Sequence, residues 1–239
     1  MNTLSEAFEP RRPVTQAITE EITSWISSGK YKPGDYLPAE GELAKHFNVS
    51  KPSVRESLKH LHAIGAVEIS HGRPAAVRAM TSMPLVNFFH LAVTAESGGM
   101  REAIELRKGL EVQSILLAAE RATDDDIAEL QALLGQLDTH KANLAEWVPI
   151  HVRFHEALVR AAHNRFYTFL QDALRETIEK TNREILANNP RRDPDKSYAY
   201  HVALFEAIKK HDVKKARLAI EAHFQAVDAV LNAAAHKAP

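Results

Sequence analysis

The segment from Leu37 to Val77 most constrains what this chain can fold into, because its pattern predicts a helix, a turn, a second helix and a hairpin, in that order. Apolar residues at helical spacing predict the first helix over 39–47. Ser50 can then cap a second helix, whose first turn tolerates Pro52. Gly65 ends this helix. The segment therefore begins with two short helices joined by a tight turn.

The second helix of this segment has two different faces. Its inward stripe is apolar at i, i+4 and i+7, formed by Val54, Leu58 and Leu61. Basic residues lie four apart on another face, which is free to meet a partner: Lys51, Arg55 and Lys59. Two strands, predicted over 66–70 and 75–77, follow with a turn containing His71 and Gly72. The order predicts a winged helix-turn-helix, whose second helix has the right width for a DNA major groove.

Composition and charge narrow the classes of protein that the chain can be. At 239 residues the chain is expected to form two domains. It has no cysteine, which excludes disulfides and thiolate metal sites. No run of about 18 apolar residues is present, so no membrane span is predicted, and the lack of an apolar signal core predicts a cytoplasmic protein.

Positive charge is local. The whole chain has a net charge of −1, but residues 50–80 hold five Lys or Arg against two Glu, a net of +3. Phosphate binding by so few charges is modest per subunit, which favours a homodimer on double-stranded operator DNA.

The same segment resembles the DNA-binding domain of GntR-family transcriptional regulators. The resemblance rests on Gly34–Glu40, Leu43-Ala44, Val49-Ser50, Val54–Leu58, Gly65 and His71-Gly72. In relatives closest to the fatty-acid regulator FadR, the corresponding positions contact the operator, which implies DNA-binding roles for Ser50, Lys51, Ser53, Arg55, His71 and Gly72. Such regulators often carry Arg at the positions of Gly41 and Lys51. Because Lys cannot grip guanine with two parallel hydrogen bonds, the relatives' operator sequence does not transfer to this chain.

The rest of the chain is predicted to be helical. A helix over 13–28 precedes the winged segment, and an apolar linking helix follows it. Beyond residue 100 the spacing predicts helices over 100–122, 124–139, 144–163, 165–188, 196–211 and 213–236. The fold class is therefore mainly α: an N-terminal winged helix-turn-helix with a small β-hairpin, then a C-terminal all-α helical bundle. The expected domains are residues 1–79 for DNA binding, 80–99 as connector and linking helix, and 100–239 for ligand and metal binding.

Histidines mark a candidate site in the helical domain. His151 and His155 are four residues apart, while His201 and His223 lie on the apolar stripes of two further helices. Taken singly, each is most simply a core histidine bonded to a carbonyl group. Three helices that direct imidazole to one bundle interior also predict a divalent metal site, and neutral imidazoles suit zinc or nickel.

These helices resemble the FCD ligand-binding domain of FadR-subfamily regulators. The matching residues are Glu105–Arg107, Glu111, Arg153–Leu158, Asn164, His201, Glu206–Ile208 and Ala222-His223. Metal-binding members usually use one Asp and three His; here the Asp position is His151, so the resemblance implies His151, His155, His201 and His223 as ligands, or the last three alone. It also implies a small carboxylate or sugar-acid effector, with Arg107 facing it. The alternative for Arg107 is a helix-surface salt bridge with Glu111, and Asn164 either lines the pocket or only starts a helix.

The sequence therefore predicts a ligand-responsive transcriptional regulator, expected to be a repressor, and not an enzyme. One alternative is a metal-dependent hydrolase fused to a DNA-binding domain. Catalytic zinc usually needs a nearby carboxylate base, and Glu156 points about 100° away from His155 on a helix. Another alternative is a metal-free regulator that responds to an acyl-cofactor, against which the four histidines argue.

Overall fold

The computed structural model describes residues 13–95, 99–187 and 193–235, with side chains except at Met100, Thr181, 184–187 and 230–235. Residues 1–12 of the predicted DNA-binding domain and the predicted helix ends at 188 and 236 lie outside the described residues. The chain divides into two compact units, Met1–Pro84 and Leu85–Pro239.

The described part of the first unit, from residue 13 onward, has three helices and a two-stranded antiparallel sheet. Its elements are α1 (Val14–Ser27), α2 (Glu40–Phe47), α3 (Lys51–Ala63), β1 (Val67–Glu68) and β2 (Ala76–Val77). The core includes Leu43, Val54 and Leu61. The inward face of α1 is formed by Ile18, Ile22 and Trp25, whereas Val14 is 52% exposed. The tight turn before α3 depends on Asn48, whose left-handed φ of 53° closes α2.

The hairpin is shorter than the sequence predicts. Val67 pairs with Val77 and Glu68 with Ala76, which leaves two residues in each strand. Continuing this register places Pro74 opposite Ser70, and proline has no amide N–H to extend the ladder. The free edge of β2 is covered by the segment before α2, where Leu37 N donates to Ala75 O at 2.8 Å and Val77 N to Asp35 O at 2.8 Å. Sequence spacing did not indicate that the segment before α2 would hydrogen-bond to the edge of the sheet.

The second unit is all-α. Its helices are α4 (Met83–Ala95, which begins just before the boundary), α5 (Gly99–Arg121), α6 (Asp124–His140), α7 (Leu144–Arg160), α8 (Arg165–Ala187), α9 (Pro194–Lys209) and α10 (Val213–Ala235). The main core joins α5, α6, α7, α9 and α10 around residues such as Ile115, Phe154 and Leu204. The mainly α fold class, with a helical domain after the winged unit, is confirmed.

Capping explains where several helices begin. Thr123 caps α6 and forms a reciprocal pair with Asp126, as the acidic first turn predicts. Asp193 caps α9, whose first residue is Pro194, so this helix begins two residues before the predicted 196. Among the residues that the structure describes, no helix combines the length and the apolar character that a membrane crossing requires.

Candidate metal centre and DNA-binding surface

Four histidines from three helices converge inside the second unit. His151 and His155 lie one turn apart on α7, His201 is on α9 and His223 is on α10. All four are buried, and each offers a nitrogen within 4.8 Å of those of the others. The helical spacing that the sequence analysis used is what brings them together, because each histidine shares the apolar stripe that packs its helix into the core.

Two of these imidazoles are oriented by hydrogen bonds at their outer nitrogens. His155 Nδ1 donates to Glu111 Oε2 at 2.7 Å, and His201 Nδ1 donates to the Ser197 carbonyl oxygen at 2.7 Å. Because both partners only accept, both Nδ1 atoms carry the hydrogen. The Nε2 atoms of these two imidazoles face one another at 3.4 Å. This distance suits a shared cation, because two nitrogens bound to one tetrahedral zinc lie about 3.3–3.4 Å apart.

Burial favours the neutral form of three imidazoles in the cluster. Burial and the neighbouring His155 lower the pKa of His201 to about 3. Burial also lowers the pKa values of His151 and His223 well below the usual range. A neutral imidazole is the form that binds metal, so the donor set fits zinc or nickel.

A buried carboxylate, Glu111, lies behind His155, a contact that the sequence did not predict although it named Glu111 as a partner of Arg107. Glu111 accepts from Arg107 Nε at 2.6 Å as well as from His155, and Gln171 Nε2 lies 3.4 Å from the same Oε1 atom. Burial opposes its ionisation, but Arg107 and His155 outweigh burial and hold the pKa of Glu111 well below its ordinary value. An outer carboxylate of this kind makes a histidine a stronger ligand, and it supplies the negative charge that an all-imidazole set lacks.

Arg107 combines parts of both sequence interpretations. It forms the predicted i, i+4 salt bridge with Glu111, but the pair is not on the surface, since the two side chains are 7% and 1% exposed. The description as a helix-surface pair is therefore wrong, because α5 is covered by other helices at this point. Arg107 Nη2 is buried and has no hydrogen-bond partner among the described residues.

Two further side chains complete the surroundings of His151. The Trp147 ring stacks on the His151 ring with centroids 4.5 Å apart. The Asn182 amide on α8 lies 3.2 Å from His151 Nδ1. Asn182 was not among the predicted site residues, since only the position of α8 brings this amide to the cluster.

Asn164, the other predicted effector contact, lies at the start of α8. Its side-chain oxygen accepts from Phe166 N at 3.1 Å, which caps the helix. This agrees with the helix-start alternative, and an effector contact of Asn164 stays a prediction.

The predicted DNA-binding residues lie on the exposed side of the first unit. Ser50 caps α3 by accepting from Ser53 N at 3.3 Å, and the two hydroxyl groups are 2.9 Å apart. Lys51 is exposed in the first turn of α3, where its Cε would lie 3.4 Å from a Cβ added at Gly41. His71 and Gly72 are exposed in the turn of the hairpin, where Gly72 has a left-handed φ of 72°.

Arg55 is held by a side chain that sequence reasoning did not single out. Its guanidinium meets Glu40 on α2 through Nε at 3.1 Å and Nη2 at 2.6 Å. The arginine remains 55% exposed, so its remaining N–H groups are accessible. Glu40 thus fixes the direction of Arg55 on the outer face of α3.

Comparison with protein families agrees with both halves of this description. The family "Bacterial regulatory proteins, gntR family" matches residues 14–77, and the FCD domain matches residues 102–226. The chain belongs to the GntR family and carries an FCD domain. The family resemblance read from the sequence is confirmed, and an FCD domain is consistent with the FadR subfamily.

Comparison with individual relatives supports the same family assignment. This GntR-family chain is 29% identical over 240 residues to the "HTH-type transcriptional repressor NanR" of Cronobacter sakazakii, covering 95% of this chain and 88% of the relative. It is 28% identical over 228 residues to the protein of that name in Escherichia coli, covering 93% and 86%. The solved structure described as Streptococcus agalactiae GntR has 22% identity and a TM-score of 0.71, covering 89% of this chain and 98% of that one. This last likeness supports the fold.

These comparisons identify a DNA-binding transcriptional regulator of GntR and FCD type rather than an enzyme. They therefore decide against the hydrolase alternative. Glu156, the carboxylate next to His155 in sequence, accepts from Arg175 Nη2 at 2.5 Å in an ion pair between α7 and α8.

Proposed function

We propose that this regulator is a homodimeric repressor that binds operator DNA through α3 and the hairpin, and that responds to a small acid beside a metal ion. His155, His201, His223 and His151 hold the ion, for which zinc or nickel is the best chemical match. The observation that carries the proposal is the convergence of four buried imidazoles, two of whose Nε2 atoms approach to 3.4 Å inside the core. Repressor activity is proposed from the likeness to the NanR proteins.

The effector class follows from charge. A bound divalent ion supplies a Lewis-acidic position for an anionic oxygen. Arg107 adds a buried guanidinium whose Nη2 has no partner among the described residues, although Nε is bonded to Glu111. A buried cationic donor of this kind favours a carboxylate, since charge-assisted hydrogen bonds are the strong ones. We therefore propose a small carboxylate or sugar acid as effector.

Operator recognition is tested at Arg55. In a titration with a duplex selected from random sequence by the wild-type protein, Arg55→Ala should weaken specific binding by about 1–3 kcal/mol at fixed salt. The reason is that Arg55 is exposed and directed outward on α3 by Glu40. Arg217→Ala is the matched control, because Arg217 is also exposed and paired with a glutamate, but lies on α10. Equal affinity of Arg55→Ala and wild type would remove Arg55 from the interface.

Effector response is tested at Arg107. Operator affinity is measured across a panel of small mono- and dicarboxylates and sugar acids with zinc present, and an effective acid should change it by about 5- to 150-fold. Arg107→Lys should lose this change, because lysine keeps a positive charge near Glu111 but has no guanidinium Nη2 to offer. Operator affinity without acid should stay at the wild-type value, since the predicted DNA-binding residues lie in the first unit. A response that survives in Arg107→Lys would place the acid elsewhere.

A further inference from the structure

A second buried side chain next to the histidine cluster also has an unsatisfied atom. Gln171 is 1% exposed, and its Oε1 accepts no hydrogen bond from the part of the chain that the structure describes. Its Nε2 donates to Glu111 Oε1, the oxygen that also accepts from Arg107 Nε. The head groups of Arg107 and Gln171 are therefore neighbours. One has a buried donor left over and the other a buried acceptor.

The chemistry of Glu111 fixes the direction in which Gln171 faces. An ionised carboxylate only accepts hydrogen bonds, so the amide NH₂ group must face Glu111. The amide oxygen consequently faces away from Glu111 as a buried acceptor. A buried carbonyl oxygen without a donor is unfavourable, and only a molecule that brings an N–H or O–H group can satisfy it.

We propose that Gln171 reads a hydroxyl group of the effector, so that the site selects a short hydroxycarboxylate over the same acid without the hydroxyl. This inference rests on the proposed function, in which the effector carboxylate meets Arg107. The hydroxyl donates to Gln171 Oε1 while the carboxylate accepts from Arg107 Nη2. A hydroxyl suits this place better than an ammonium group, because an ammonium would put a further positive charge beside the guanidinium and the ion.

The test uses pairs of acids that differ by one hydroxyl group: glycolate and acetate, lactate and propionate, malate and succinate, 3-hydroxybutyrate and butyrate. Binding to the full zinc-loaded chain is measured by titration calorimetry. At least one hydroxy acid should bind about ten- to hundredfold more tightly than its partner, as expected for one buried hydrogen bond. In Gln171→Leu this preference should fall to about twofold or less.

Controls separate this role from the alternatives. Gln131→Leu makes the same chemical change at an exposed position on α6 and should keep the preference. Gln171→Met, with a flexible side chain of similar length, is the second variant if the leucine is not tolerated. A preference that survives at Gln171 would mean that the hydroxyl binds the ion, and it would overturn the proposal.

The titrations distinguish failure of the proposed role of Gln171 from failure of the proposed acid-binding function. Equal affinity of wild type for both members of every pair would overturn the role of Gln171 and leave the acid-binding function standing. If no acid in the panel binds the zinc-loaded chain, the small carboxylates fail as effectors and the hydroxyl selection among them fails with them.

Discussion

His201→Ala should lose the bound metal. Protein produced in zinc-supplemented medium and purified without chelators is expected to carry about one zinc per chain as wild type and essentially none as His201→Ala, by elemental analysis. The reason is that His201 Nε2 lies 3.4 Å from His155 Nε2, inside the cluster of four buried histidines. An ion that binds only the folded state stabilises it by about 2.7 kcal/mol at a free concentration 100 times Kd. Added zinc should therefore raise the melting temperature of chelator-treated wild type and leave that of His201→Ala unchanged.

His90→Ala is the control for this experiment. His90 lies on α4, is 61% exposed and faces Glu176, so its removal should leave the zinc content at the wild-type value. Stoichiometric zinc in His201→Ala would show that the cluster is not the metal site. Wild-type protein that neither carries zinc nor gains stability from added zinc or nickel would refute the metal site as a whole.

Glu111→Ala should destabilise the metal-free protein by about 3–5 kcal/mol, because it leaves the buried guanidinium of Arg107 without its counter-ion. The measurement is the free energy of unfolding in urea at pH 7 after removal of metal. Replacing both partners by apolar residues, as in Arg107→Met with Glu111→Leu, should recover most of the loss, since no unpaired charge then remains in the core.

Helix α5 provides a matched control for this prediction. Arg101 and Glu105 form an ion pair with the same i, i+4 spacing on the same helix, but their side chains are 84% and 67% exposed. Exposed pairs contribute about 0–1 kcal/mol, so Glu105→Ala should have little effect. If Glu111→Ala lowers the free energy of unfolding by no more than Glu105→Ala does, the buried Arg107–Glu111 pair does not stabilise the fold as predicted.

A further variant, Glu111→Gln, separates the role of Glu111 in stability from its proposed role in metal binding. Glu111→Gln keeps a hydrogen-bond acceptor for His155 but removes the negative charge behind it. Loss of such an outer partner commonly lowers metal affinity about 10- to 100-fold. His201→Ala removes a proposed ligand itself, so its loss of affinity should be larger than that of Glu111→Gln.

The local pattern of the sequence was sufficient for most of the secondary structure. Hydrophobic periodicity and caps place α6 within one residue of its observed end at His140, and α10 begins at the predicted Val213. The same periodicity put His155, His201 and His223 on inward faces, and all three are buried. These features depend on residues within a few turns of one another, which is why the sequence reveals them.

The network behind the histidines was decided by tertiary packing. Glu111 and His155 are joined across 44 residues, and Gln171 reaches the same carboxylate from a third helix. Nothing in the spacing of any one helix indicates these contacts, because they depend on how α5, α7 and α8 pack together. The direction of Arg55 likewise depends on Glu40 from a different helix.

Helix α5 shows, within a single helix, what the sequence determines and what tertiary packing determines. Its sequence contains two Arg–Glu pairs at the same spacing, Arg101–Glu105 and Arg107–Glu111, and the sequence alone predicts a helical ion pair for each. Packing leaves the first pair in solvent, where water screens its charges, and buries the second beside the imidazoles. The sequence by itself determined that these charges can pair along a helix. Only the tertiary structure decided which pair lost its water and lies against His155 in the core, where its charges interact more strongly than in solvent.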